Sequence, residues 1–279
     1  MVNTLQAFLK KILTTTIAAA MVVFLFGVGV SFGQTTVYQD DFSDSQGSDF
    51  TTDGLIGTSD WSVNRSGDDW GARIHNGILE LTNTAGFASN SNGWVFSHVD
   101  IGDKFESSFN TTLNENTEKV SWIFNMRQIR SNPAGFNLGN YGAAFVLATD
   151  NTDVFDTDGA SGYAIVLGNS STPDPIRLVS FSDGITEIGA SASTGIIIAS
   201  SPLDDPTNNY MSIKVTYDPS DDSWEIFGRI DGSSSFEDPN SGTLVSVGTG
   251  TDASQTDKEL NFMGGVLARS NCRKSDCVL

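Results

Sequence analysis

Cysteine is nearly missing from this chain of 279 residues: Cys272 and Cys277 are the only two, both within the last eight positions. The body of the fold therefore cannot be stapled by disulfides. The pair can join across a short loop in an exported protein, but a metal site there would need further Cys or His ligands, and none are near. Histidine is equally scarce, at His75 and His98. Basic residues number 15 against 34 acidic ones, for a formal net charge of −19. A polyanion would be repelled and no basic stripe exists to meet phosphates, which excludes nucleic acid as a partner. The acidic excess serves solubility in a salty or calcium-containing medium, or else part of it binds calcium. Helical periodicity is almost absent after residue 33, and no later apolar run is long enough to cross a membrane.

What is present begins with Lys10 and Lys11 ahead of an apolar stretch, residues 12–32, closing on Ser31-Phe32-Gly33. This is the layout of a secretory signal peptide, with small residues where the peptidase cuts. Cleavage is expected after Gly33, giving a mature chain of residues 34–279 with 13 basic and 34 acidic residues, a formal charge of −21. The competing reading is an uncleaved anchor, because the stretch approaches the roughly 20 residues that span a bilayer. Thr14, Thr15 and Thr16 dilute the apolar run and favour cleavage. The expected location is secreted or at the cell surface, with no membrane span after cleavage.

The mature chain reads as a series of short alternating strands. In residues 209–218, Met211, Ile213, Val215 and Tyr217 fall on one face and Tyr210, Ser212, Lys214 and Thr216 on the other, since successive strand side chains point to opposite sides. Residues 223–232 answer with Trp224, Ile226 and Ile230 against Glu225, Arg229 and Asp231, after the turn Asp218-Pro219-Ser220-Asp221-Asp222. Residues 119–127 alternate in the same way around Val120, Trp122, Phe124 and Met126. Further strands are expected at 37–42, 72–75, 78–82, 94–99, 104–113, 143–149, 162–168, 175–181, 195–199, 243–247 and 260–267. Turn pairs such as Asn76-Gly77 and Asp183-Gly184 separate them. So many strands with short links predict an all-β fold, a sandwich of two packed antiparallel sheets occupying residues 34–265. Residues 266–279, with three basic residues and both cysteines, form an atypical tail that reads as truncated, frame-shifted or genuine. If it is truncated, a final strand is missing and a sheet edge is left unpaired.

Four blocks carry a resemblance: Asn76-Gly77-Ile78-Leu79-Glu80-Leu81-Thr82-Asn83; Gly162-Tyr163-Ala164-Ile165-Val166-Leu167-Gly168-Asn169; Asp174-Pro175-Ile176-Arg177-Leu178-Val179; and Val215-Thr216-Tyr217-Asp218-Pro219. Together they resemble the concanavalin A-like lectin/glucanase (laminin-G-like) jelly rolls of bacterial secreted proteins, over most of residues 36–265. The blocks are strand and turn positions, so the resemblance implies a fold, a bacterial exported protein and no particular chemistry.

Enzymatic motifs are missing. Glucanases of this fold place carboxylates as E-x-D-x-x-E on one strand, where alternate residues flank a glycosidic bond. None of the eight Glu residues here has Asp two positions later. Lyases of the fold use His and Tyr with Arg or Gln; Gln128-Ile129-Arg130 echoes one such strand without a companion His. His75 and His98 read as packing residues before groove residues. A Ser-His-Asp set can be drawn from any chain rich in Ser and Asp and means nothing without geometry. Calcium is the expected cofactor: Asp150, Asp153, Asp156 and Asp158 concentrate hard oxygen ligands before Gly159, although the spacing is not that of an EF-hand and a solvated acidic turn competes. For sugar binding, aromatic faces stack on pyranose C–H groups. Trp122 and Trp224 belong to the core by alternation, whereas Trp61 and Trp70 lie in the polar stretch 59–73, where they are either accessible or a staple under a long loop, and Tyr141 follows the long loop 130–141. Trp61, Trp70 and Tyr141 are therefore the candidate ligand-binding residues. The sequence reads as a secreted, non-catalytic carbohydrate-binding or adhesive module whose partner is an extracellular glycan or cell-surface polysaccharide. The alternatives are a glycoside hydrolase or polysaccharide lyase with an unfamiliar site, and a structural cell-surface domain without a small ligand.

Overall fold

A computed structural model describes residues 35–44, 46–85, 92–102, 104, 109–129, 135–136, 141–156, 159–168, 174–185, 194–199, 203 and 209–269. The described residues form β1 (Gly54–Leu55), β2 (Trp61–Ser66), β3 (Gly71–His75), β4 (Ile78–Thr82), β5 (Gly93–Asp100), β6 (Val120–Arg127), β7 (Tyr141–Thr149), β8 (Gly162–Leu167), β9 (Ile176–Phe181), β10 (Thr194–Ala199), β11 (Tyr210–Asp218), β12 (Ser223–Gly232), β13 (Val245–Thr251) and β14 (Phe262–Arg269), with a single turn of 3-10 helix at Leu113–Glu115. An eight-stranded sheet has the order β1-β2-β5-β14-β7-β8-β9-β10, a four-stranded sheet the order β13-β12-β11-β6, and β3-β4 form a separate hairpin. Every pairing is antiparallel. The expected all-β antiparallel sandwich is therefore observed. Among the described residues no helix is long and apolar enough to cross a membrane.

Alternation decides the layers. The inner face of the large sheet presents Tyr163, Ile165, Leu167, Ile176 and Leu178 to Met211, Ile213, Val215, Tyr217, Trp224 and Ile226 of the four-stranded sheet. Trp122 and Trp224 lie in this core as their period predicted. The β3–β4 hairpin covers the rest of the inner face, packing Ile74, Leu79 and Leu81 on Val63, Val95, Val99 and Leu267. Its two-residue turn has positive φ at both Asn76 (53°) and Gly77 (74°), the geometry that the right-handed twist of a tight hairpin needs. Between the edge strands β10 and β13, Gly248 and Gly250 face Ile197 and Ile198 with no room for a side chain, which lets the two sheets close on one another.

Three expectations are corrected. Residues 37–42 are not a strand: Asp40 accepts the Phe42 N–H at 2.7 Å and Asp41 the Ser43 N–H at 2.9 Å, and such side-chain bonds compete with sheet pairing. The expected strand 104–113 ends, where it is described, in the 3-10 turn at Leu113, held by Asn116 Nδ2 donating to the Asn110 and Leu113 carbonyls at 2.9 and 3.0 Å. The sandwich does not stop at residue 265. β14 runs to Arg269 and pairs on both sides, with β5 and β7, so it is a central strand and not a sheet edge. Residues 270–279 lie outside the described residues.

Candidate functional site

The aromatic candidates are brought together, but inside a core. Trp61 is 2 % exposed and Trp70 fully buried, so of the two readings, accessible side chains or a buried staple, the second holds. The polar stretch 59–73 is not a loop: it contains β2, a turn and the start of β3, and its tryptophans fill the space between the hairpin and the large sheet. Trp61 packs on Phe42 with ring centroids 5.3 Å apart and donates its indole N–H to Asp40 at 2.8 Å. Tyr141 borders the same core, its hydroxyl accepting a hydrogen bond from Asn83 Nδ2 at 3.0 Å, with the Arg269 guanidinium 5.3 Å over its ring.

The acidic segment after β7 is tied up internally. Asp150 accepts the Ser161 N–H at 2.7 Å, Asn151 accepts the Asp153 N–H at 2.9 Å, and Asp153 accepts the Phe155 N–H at 3.0 Å. Asn151 Nδ2 donates to Asp156 at 3.4 Å. Burial raises the pKa of Asp153, and the charge of Asp156 adds to that, against the lowering effect of the Phe155 bond. These turns seat Val154, Phe155, Ala160 and Ile185 on the outer face of the large sheet, over Val146, Ala164, Val166 and Phe181. Asp158 lies outside the described residues. Among the described residues no three His, Cys, Asp or Glu side chains stand close enough to share a metal ion.

That cover leaves one end of the outer face open. Cross-strand pairing lines up Leu55, Ser62, His98 and Gly264 in one row, with Asp100 and Phe262 paired in the next. Along these rows lies a depression of about 480 Å³, lined by Leu55, Ser59, Asp60, Ser62, His98, Asp100, Lys104 and Phe262. A smaller one of about 210 Å³ adjoins it, sharing Ser59 and Asp60 and reaching Asp40 and Asp44. Leu55 is 61 % exposed, Phe262 half-buried and Asp100 exposed. Asp60 pairs with Lys104 at 2.7 Å, while Asp100 spends one oxygen on the Gly102 N–H at 2.9 Å.

His98 forms part of the wall and is only 7 % exposed. Its ring lies between Phe96 at 5.0 Å and the edge-on Phe262 at 5.6 Å. Neither ring nitrogen has a hydrogen-bond partner. Burial draws its pKa down to about 4 against the opposing charge of Asp100, so the imidazole is neutral at pH 7. Ser62, His98 and Asp100 are the residue types of a hydrolytic triad on one wall, yet the imidazole bonds neither of the others, and a triad is defined by those bonds. The groove presents an aromatic ring, an aliphatic side chain, hydroxyls, carboxylates and one ammonium group. Gly264 keeps the floor closed. A Cβ there would run into the Ser97 carbonyl and the His98 Cα, so Gly264→Val is expected to push β14 off β5 and cost about 3 kcal/mol, read as a lower urea midpoint.

Sequence reasoning named His98 as a possible groove residue but missed Asp100 and Phe262, which sit at the ends of β5 and β14, and Asp60 and Lys104, which lie in the turns before β2 and after β5; only the sheet order brings them together.

No family model matches the chain, and no curated protein does. Among solved structures it is similar to arcelin-5, a lectin-like defense protein from Phaseolus vulgaris, at 14 % identity and TM-score 0.39, covering 77 % of this chain and 92 % of that one. It is also similar to peanut lectin bound to a nine-residue peptide, at 17 % identity and TM-score 0.38, covering 80 % and 89 %. A third is a lectin from Bauhinia forficata in complex with GalNAc, at 9 % identity and TM-score 0.39, covering 78 % and 88 %. One fold hosts many activities, so function here rests on the groove's own side chains.

Proposed function

We propose that this protein is an exported, non-catalytic carbohydrate-binding module that holds an extracellular glycan or cell-surface polysaccharide in the groove at the β1-β2-β5-β14 end of the large sheet. One observation carries the reading. The groove sets a half-buried aromatic ring and an exposed leucine beside two serine hydroxyls and two carboxylates, while the histidine in its wall is neutral and bonded to none of them. Apolar C–H faces and hydroxyl groups on one ligand are what such a surface complements. Export rests on the Lys10-Lys11 and apolar N-terminal pattern, and N-terminal sequencing of the exported protein is expected to begin at Gln34.

A glycan array, run with calcium and again with chelator, tests the binding. Selective binding that Phe262→Ala abolishes supports the reading, and loss on chelation adds calcium as a cofactor. A cooperatively folded protein that binds no glycan in either buffer overturns it.

A further inference from the structure

The groove's charges are unbalanced in one place. Asp60 is neutralised by Lys104 at 2.7 Å. Asp100 forms no ion pair among the described residues: Lys104, which lines the same groove, is taken by Asp60, and beside Asp100 on its own face stand the His98 imidazole two residues earlier and the Phe262 ring paired with it across β5 and β14. Adding a carboxylate to an aromatic ring gives the two elements that recognise an ammonium group, one by charge and one by the negative face of the ring. The neutral imidazole, nine-tenths buried and without a partner at either nitrogen, lines the wall beside them and brings no charge that would oppose a cation. An anionic ligand meets the opposite conditions: an uncompensated carboxylate and a chain of net charge −19.

We propose that the groove selects glycans bearing a free, protonated amine, with Asp100 and Phe262 as the residues that hold the ammonium group. This rests on the glycan reading above and adds the class of sugar. An N-acetylated sugar of the same length lacks the charge, and a uronate carries the wrong one.

The test is calorimetry at pH 6 with the exported protein and three trisaccharides: a β-linked glucosamine trimer, its N-acetylated counterpart and a uronic acid trimer. Because so acidic a protein attracts any cation, Asp100→Asn is compared with Asp221→Asn, an exposed carboxylate in the β11–β12 turn. Asparagine at 100 still accepts the Gly102 N–H, so the fold is kept. The expected result is that the amine trimer binds at least about tenfold tighter than the acetylated one, that Asp100→Asn and Phe262→Ala each remove that preference, and that Asp221→Asn leaves it intact. Equal weakening by Asp100→Asn and Asp221→Asn means diffuse attraction and overturns the proposal. Tighter binding of the acetylated or uronic trimer in the groove overturns the amine preference while leaving a glycan-binding protein. Binding of none of the three, with none on the array, removes both.

Discussion

Replacing Trp224 with alanine is expected to cost about 3–5 kcal/mol. The indole is 1 % exposed and sits among Trp122, Tyr163 and Tyr217, with ring centroids 5.9, 4.5 and 4.7 Å away. Its N–H donates to the Asp252 carbonyl at 2.9 Å. The same end of the sandwich is clamped by two tyrosine hydroxyls, Tyr163 donating to Asp252 at 2.9 Å and Tyr217 to Asp222 at 2.7 Å, and by the Asp252 N–H on the Asp222 carbonyl at 3.1 Å. Alanine leaves a cavity between two sheets that cannot collapse without breaking these bonds, and it orphans a carbonyl. Since domains of this size are stable by only about 5–15 kcal/mol, urea unfolding is expected to show a much lower midpoint or no folded protein at all. Trp224→Phe, which keeps most of the volume, is expected to lose about 1–2 kcal/mol. A loss below about 1 kcal/mol for alanine would show that the aromatic cluster does not hold this end together.

The second large effect is on acid stability, through His98. Its folded pKa is near 4 and its ordinary value 6.5. Above pH 6.5 the imidazole is neutral in both states and its full contribution is present. As pH falls from 6.5 towards 4 the unfolded chain takes up a proton that the folded chain refuses, so stability drops, by about 3 kcal/mol across that window. Below pH 4 both states are protonated and the slope ends. Asp153 acts in the opposite sense: burial raises its pKa, so its protonation favours the folded state as pH falls. His98→Phe keeps a ring between Phe96 and Phe262 and removes the titration. Urea unfolding at steps from pH 7 to pH 4 is expected to show the variant gaining on the parent protein by about that amount. Parallel curves would mean that His98 is not buried as described.

Strand interiors were legible from the chain where the alternation was long. β6 and β11 each carry four residues in period two, and their faces, including Trp122, came out as read; in β12 Trp224 and Ile226 are buried as read, but Ile230, read with them, is 38 % exposed beyond the edge of the core. Short or interrupted strands were not legible. β2 shows only Trp61 and Val63 as its buried set, among serines, an asparagine and nearby glycines and aspartates, so the chain alone does not decide between an accessible tryptophan and a buried staple. β14 was expected at 260–267, but the basic residues and cysteines that follow set the boundary at 265, inside a strand that runs to Arg269. Asp40 and Asp41 turned an apparently alternating segment into turns by bonding the backbone themselves.

By itself the sequence determined the all-β class and a body with no cysteines to staple it, because composition and a period of two are local properties of a chain. The groove was decided only by the tertiary structure. Leu55, Ser62, His98 and Phe262 are scattered over more than 200 positions, and nothing in their local sequence marks them as neighbours. Strand order β1-β2-β5-β14 places them on one face. The loop after β7 covers the middle of that face and leaves their end open. Which residues meet solvent is a question of what packs over them, and packing is set by contacts distant in the chain.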